Sequence, residues 1–116
     1  MLALNFSMGI AGMPEDLKDQ FHQQMIGIYR NALTQARYEA KQFLRMVTVQ
    51  GGLAAAKALL HTPYLPDGFA ELWQRGRLDL TMEYMLVQPP WNSLFTEEEL
   101  KIARDRLAAH SQPPRA

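Results

Sequence analysis

Apolar residues return every three or four positions from Leu17 to Val47: Leu17, Phe21, Met25, Ile28, Ala32, Ala36, Ala40, Phe43 and Val47. That spacing lines one face of an α-helix; a half-buried strand would instead alternate with a period of two. The mean gap is about 3.75 residues, nearer a straight helix than a left-handed coiled coil. Between Asp16 and Gln50 there is no proline, and Gly27 is the one glycine. Pro14, with Glu15, Asp16 and Asp19 behind it, suits a helix N-terminus, where negative charge offsets exposed amide dipoles. Gly51-Gly52 ends the pattern. The expectation is one long helix over 16–50, bent near Gly27 or Asn31.

Shorter segments follow. Leu53 to His61 is rich in strong helix formers and is stopped by Pro63. Asp67 is the expected cap of a short helix through Phe69, Leu72 and Trp73 that closes at Gly76, and Asp79 the expected cap of another over Leu80 to Val87. Pro89-Pro90 breaks that one. Thr96 and Glu99 form a capping box for the last helix, with Phe95 stapling against Leu100. No segment alternates apolar and polar positions over β-branched residues, so the fold class read here is all-α. About five helices are expected, one long N-terminal helix packed on a compact bundle of short ones. Residues 1–14 read as an apolar arm packing on the domain or on a second copy, 15–110 as one helical domain, and 111–116 as a frayed tail.

Composition changes this picture little. At 116 residues and 47% hydrophobic content the chain suits one core and one domain. The absence of cysteine excludes disulfides, thiolate metal sites and cysteine nucleophiles. The apolar start, Met1 to Met13, has no basic leading region and is shorter than the roughly 20 residues a membrane span needs, so no membrane association is expected. A cytoplasmic location fits.

Charge is more informative. Twelve acidic residues balance twelve basic ones, yet the layout is polar. Five basic residues and one acidic residue lie between Arg30 and Lys57, whereas seven acidic and two basic residues lie between Asp67 and Glu99. On a continuous helix Arg30, Arg37, Lys41 and Arg45 would share a narrow arc opposite the apolar stripe. They form the candidate binding surface, for a protein partner, for a second copy, or for nucleic-acid phosphates.

Candidate catalytic chemistry is thin. His22, His61 and His110 lack metal-ligand spacing, and Ser7, Ser93 and Ser111 lack a nucleophile context. Arg75, Arg77, Asp79 and Glu83 read as a structural charge cluster, Asp79 capping its helix while an arginine ties the turn to Glu83. Phe69, Trp73, Tyr84, Trp91 and Phe95 fall at helical spacing and read as core. No catalytic residue, metal site or cofactor is expected.

One stretch has a familiar pattern. Gly51-Gly52-Leu53 with Ala56-Lys57 and Leu59-Leu60, Gly68-Phe69 with Leu72-Trp73, Arg75-Gly76-Arg77-Leu78-Asp79-Leu80-Thr81 with Glu83, and Pro90-Trp91 with Leu94-Phe95-Thr96 and Glu98-Glu99-Leu100 resemble a widespread group of small bacterial proteins of uncharacterised function. The resemblance spans residues 29–107 and leaves the leading 28 outside it. It implies a compact bacterial domain and carries over no catalytic residue. The functional expectation is a non-catalytic interaction or adaptor module that self-associates, with a nucleic-acid accessory role for the basic face as the alternative.

Overall fold

The structure, a computed structural model, describes residues 14–114, and the expected N-terminal arm lies outside them. Among the described residues all regular structure is helical. The first helix, α1 (Pro14–Ala36), begins at a proline, whose fixed φ already suits a first helical turn. It does not run to Gln50. The chain breaks over 37–40 and restarts as α2 (Lys41–Gln50), correcting the single helix expected from periodicity.

The break is held by contacts from far along the chain. Arg37 takes a φ of 56°, a left-handed conformation that costs a non-glycine residue about 1–2 kcal/mol. Arg75 Nε donates to the Ala36 carbonyl at 3.0 Å, satisfying an acceptor that the ended helix leaves open. The Tyr38 amide turns back to the Ala32 carbonyl at 3.0 Å. Arg77 Nη2 donates to Gln35 Oε1 at 2.8 Å, and the Arg75 guanidinium lies 5.2 Å from the Tyr38 ring centroid. Across the gap, the Tyr29 hydroxyl donates to Glu39 Oε2 at 2.7 Å. The apolar stripe survives the change of direction, since Phe21, Met25, Ala32, Ala40 and Val47 are all buried.

Two adjacent glycines then do different jobs before α3 (Gly52–Leu60). Gly51 has φ 91°, reachable cheaply only without a Cβ. Gly52 lets α3 approach α1, because a Cβ there would stand 2.7 Å from His22 Cα. The Gly52 amide donates to His22 Nδ1 at 2.9 Å, so this histidine satisfies a free amide at the start of α3.

After a turn comes α4 (Asp67–Gln74), whose N-cap position is held by Pro66; Asp67, the expected cap, is already helical and makes no capping bond. Its end is a Schellman motif: Gly76 at φ 70°, with amide bonds from Gly76 to Trp73 (2.9 Å) and from Arg77 to Leu72 (2.8 Å). A 3₁₀ turn over Leu78–Leu80 precedes α5 (Met82–Leu86). Thr81 caps α5, accepting from the Tyr84 amide at 3.2 Å, so the expected cap Asp79 stays outside on the 3₁₀ turn. A second 3₁₀ turn, Trp91–Leu94, leads to α6 (Glu97–Ala109). There the capping box forms as expected, with Thr96 and Glu99 bonded reciprocally at 2.9 and 3.1 Å.

The core is one cluster with a satellite. Phe21 and Met25 of α1 meet Val47, Ala55, Ala56, Leu60, Met82, Leu86, Phe95, Leu100 and Ala103. The small Ala55 and Ala56 let helix backbones come close, and Phe21 packs edge-on against Phe95 at 5.5 Å. Ala32, Leu72 and Leu80 form the satellite beneath the α1 break. His110 stacks edge-on against Phe69 and Trp73, and the Trp73 indole donates to the Gln112 carbonyl at 2.9 Å, meeting the tail that was expected to fray.

Candidate functional site

Burial of charge shows which polar groups the fold has committed. Glu83 is 2% exposed and pairs with Arg106 of α6 at 2.9 Å. Arg106 also donates to the Leu59 and Leu60 carbonyls, both at 3.1 Å, so one guanidinium closes the C-terminus of α3 while neutralising a carboxylate of α5. Burial pushes the Glu83 carboxyl above the usual range, opposed by its own backbone amide and by Arg106.

Glu99 is the second committed carboxylate. Oε1 accepts from Lys57 Nζ at 2.7 Å and from the Thr96 amide, while Oε2 lies 3.0 Å from His61 Nε2. Burial works against its charge, but Lys57, Thr96 and His61 together outweigh it and hold the pKa down at about 2. Lys57 also sits 5.1 Å from the Phe95 ring centroid. Lys57 on α3 and His61 at its C-cap stand four residues apart, and that spacing is the one sequence signal that could have marked this node. Arg106 gave no such signal, since an arginine in a last helical turn normally reads as solvated.

The expected charge cluster divides. Arg77 binds Asp79 through two bonds of 3.0 and 2.9 Å, which lower the Asp79 pKa. Arg75 pairs with Glu71. Neither arginine reaches Glu83, which points inward to Arg106, so the tie expected from the turn to Glu83 is corrected. The reason is burial: Glu83 lies inside the fold, where Arg106 follows it, while Asp79 stays outside on the 3₁₀ turn with Arg77. The aromatic group divides too. Phe69 and Phe95 are buried and the two tryptophans half-buried, whereas Tyr84 is 46% exposed and outside the core expected for it.

The basic residues do not form a stripe on one helix. Arg30 is on α1, Arg37 in the break, and Lys41 and Arg45 on α2. All four are exposed, and none forms an ion pair among the described residues.

Beside the break lies a cleft of about 490 Å³. Its walls are Ile28 from α1, Phe43 and Met46 from α2, Leu59 from α3, Phe69 from α4 and Met82 from α5. Thr81 and Glu83 lie behind the wall with their polar groups already bonded, while Tyr38, Glu39, Lys41 and Asp67 also line it. The size and largely apolar lining suit a small ligand or a few side chains of a peptide. A second hollow of about 270 Å³, between α1 and α5, is lined in part by Gln24, Asn31, Asp79 and Gln88. Among the described residues no group of three potential ligands could hold a metal ion, and no helix is long and apolar enough to cross a membrane.

Comparison of the chain with protein-family models, with curated proteins and with solved structures finds no match.

Proposed function

We propose that the chain is a non-catalytic interaction module of a bacterial cytoplasmic protein, binding an apolar segment of a protein partner or of a second copy. The observation that carries this reading is the cleft walled by Ile28, Phe43, Met46, Leu59, Phe69 and Met82. It is shaped to remove apolar surface from water, which drives most protein association. A binding rather than catalytic role is supported by the state of the buried carboxylates: Glu83 and Glu99 are held by Arg106 and by Lys57 with His61, leaving neither free to exchange protons with a substrate. No cofactor enters this reading.

The test is affinity capture from the native host using the full chain and its Met46→Arg variant, with circular dichroism confirming that both fold. A partner, or a second copy seen by light scattering, should be held by the first and released by the variant, and should then bind as a purified pair. A strictly monomeric chain that recovers no protein would sink the proposal.

The exposed Arg30, Arg37, Lys41 and Arg45 support a second reading, contact with nucleic-acid phosphates. It requires binding at low salt that weakens as salt rises and is lost when the four become glutamate. No binding to DNA or RNA at low salt ends it.

A further inference from the structure

The cleft is open to solvent in the described residues, yet the chain itself carries a segment suited to it. Residues 1–13 contain no charged side chain. Within them Leu2, Leu4, Phe6, Met8 and Ile10 alternate with Ala3, Asn5, Ser7, Gly9 and Ala11, a period of two that would put five large apolar side chains on one side of an extended segment. This segment joins α1 at Pro14, and α1 itself supplies Ile28 to the cleft wall.

We propose that the N-terminal segment of the same chain occupies this cleft when no partner is bound, so that a partner must displace it. The inference rests on the reading of the cleft as the binding site and names its resting occupant. Reach permits it: Ile28 lies about 21 Å along the helix from Pro14, while 13 extended residues span up to about 43 Å. Tethering favours it, because a segment attached this close meets its site at an effective concentration of about millimolar, above that of most free competitors. The chemistry agrees, since an uncharged segment meets an apolar wall, while Glu39, Lys41 and Asp67 of the lining are exposed and keep their hydration.

The absence of cysteine makes the test clean in the 116-residue chain. Phe6→Cys combined with Met46→Cys should, on mild oxidation, lose both free thiols at monomer mass and recover them on reduction. Phe6→Cys with Lys101→Cys, on the exposed face of α6, should keep its thiols free. Because Met46 belongs to the wall, a second variant leaves the wall intact: Leu4→Asp with Phe6→Asp should raise the fluorescence of an apolar dye several-fold as the cleft is vacated. Free thiols in the first pair, a disulfide-linked dimer, or unchanged dye fluorescence each overturn the proposal. If a partner is still captured in a Met46-dependent way, only the assignment of the occupant falls; if no partner is captured but the intrachain disulfide forms, the binding role falls while the occupant stands.

Discussion

Replacing Arg106 with methionine tests the internal logic of the fold most sharply. The change removes the guanidinium that lies 2.9 Å from Glu83 and donates to Leu59 and Leu60. Both partners are largely shielded, with side chains 11% and 3% exposed, so water does little to compensate. Removing one member of such a buried pair costs about 3–5 kcal/mol, because the other charge is left unpaired. The domain's total stability is of order 5–15 kcal/mol, so the variant should sit near the edge of folding. In urea, with a slope of about 1.5 kcal/mol per molar, the midpoint should fall by about 2–3 M.

Two companions apportion the loss. Arg106→Lys keeps a charge but loses the planar fork, and should lose about half as much. Arg106→Met with Glu83→Met removes both charges and should recover most of the deficit, keeping a loss of about 1–2 kcal/mol for the unsatisfied carbonyls. The sign of the pH dependence follows from Glu83, whose pKa is raised above its unfolded value. Its stabilising contribution is fully present below the ordinary carboxylate range and is lost as pH rises through the raised folded value. Without Arg106 the charged form is still less welcome, so the deficit of Arg106→Met should shrink as pH falls toward 4. A loss below 1 kcal/mol at neutral pH, or strict additivity in the double variant, would mean that Arg106 and Glu83 are not an interdependent buried pair.

Glu99 should show the opposite sign: its pKa is lowered to about 2, so its contribution is present above the ordinary carboxylate range and lost as pH falls toward 2. Lys57 and His61 are 35% and 49% exposed, and screening holds that contribution to about 1–2 kcal/mol; Glu99→Gln should flatten the acid limb of a stability–pH curve, and an unchanged limb would argue against the node. Gly52→Ala should cost about 1–3 kcal/mol by pressing a methyl group against the His22 backbone, read as a lower melting temperature. Arg37→Gly should be neutral or stabilising by up to about 1 kcal/mol, because it relieves the left-handed backbone. Arg30→Gly, inside α1, should cost about 1 kcal/mol, and equal losses at the two positions in chemical denaturation would mean that no break exists at Arg37.

Much of the architecture was legible in the sequence because its causes are local. The spacing of Phe21, Met25, Ala32, Ala40 and Val47 named a buried face correctly on both sides of the break, since burial follows periodicity. The Thr96–Glu99 box was readable because its two bonds span only three residues. Glycine marked the end of α2 and, at Gly76, the end of α4, where a positive φ is needed.

What tertiary structure decided were matters in which residues far apart compete for the same groups. No local rule ends α1 at Ala36: the next residue is an arginine, and the end is held by Arg75 and Arg77, arriving about forty positions later. That break turned the arc of Arg30, Arg37, Lys41 and Arg45 into cations on three separate elements, and opened beside it the cleft that the functional reading rests on. Glu83 found Arg106 rather than its neighbours in sequence for a related reason, since a buried charge takes the partner that can follow it out of water. Periodicity determined which faces are apolar; where a helix stops, and which charge meets which, waited on the distant groups that satisfy its open carbonyls and buried carboxylates.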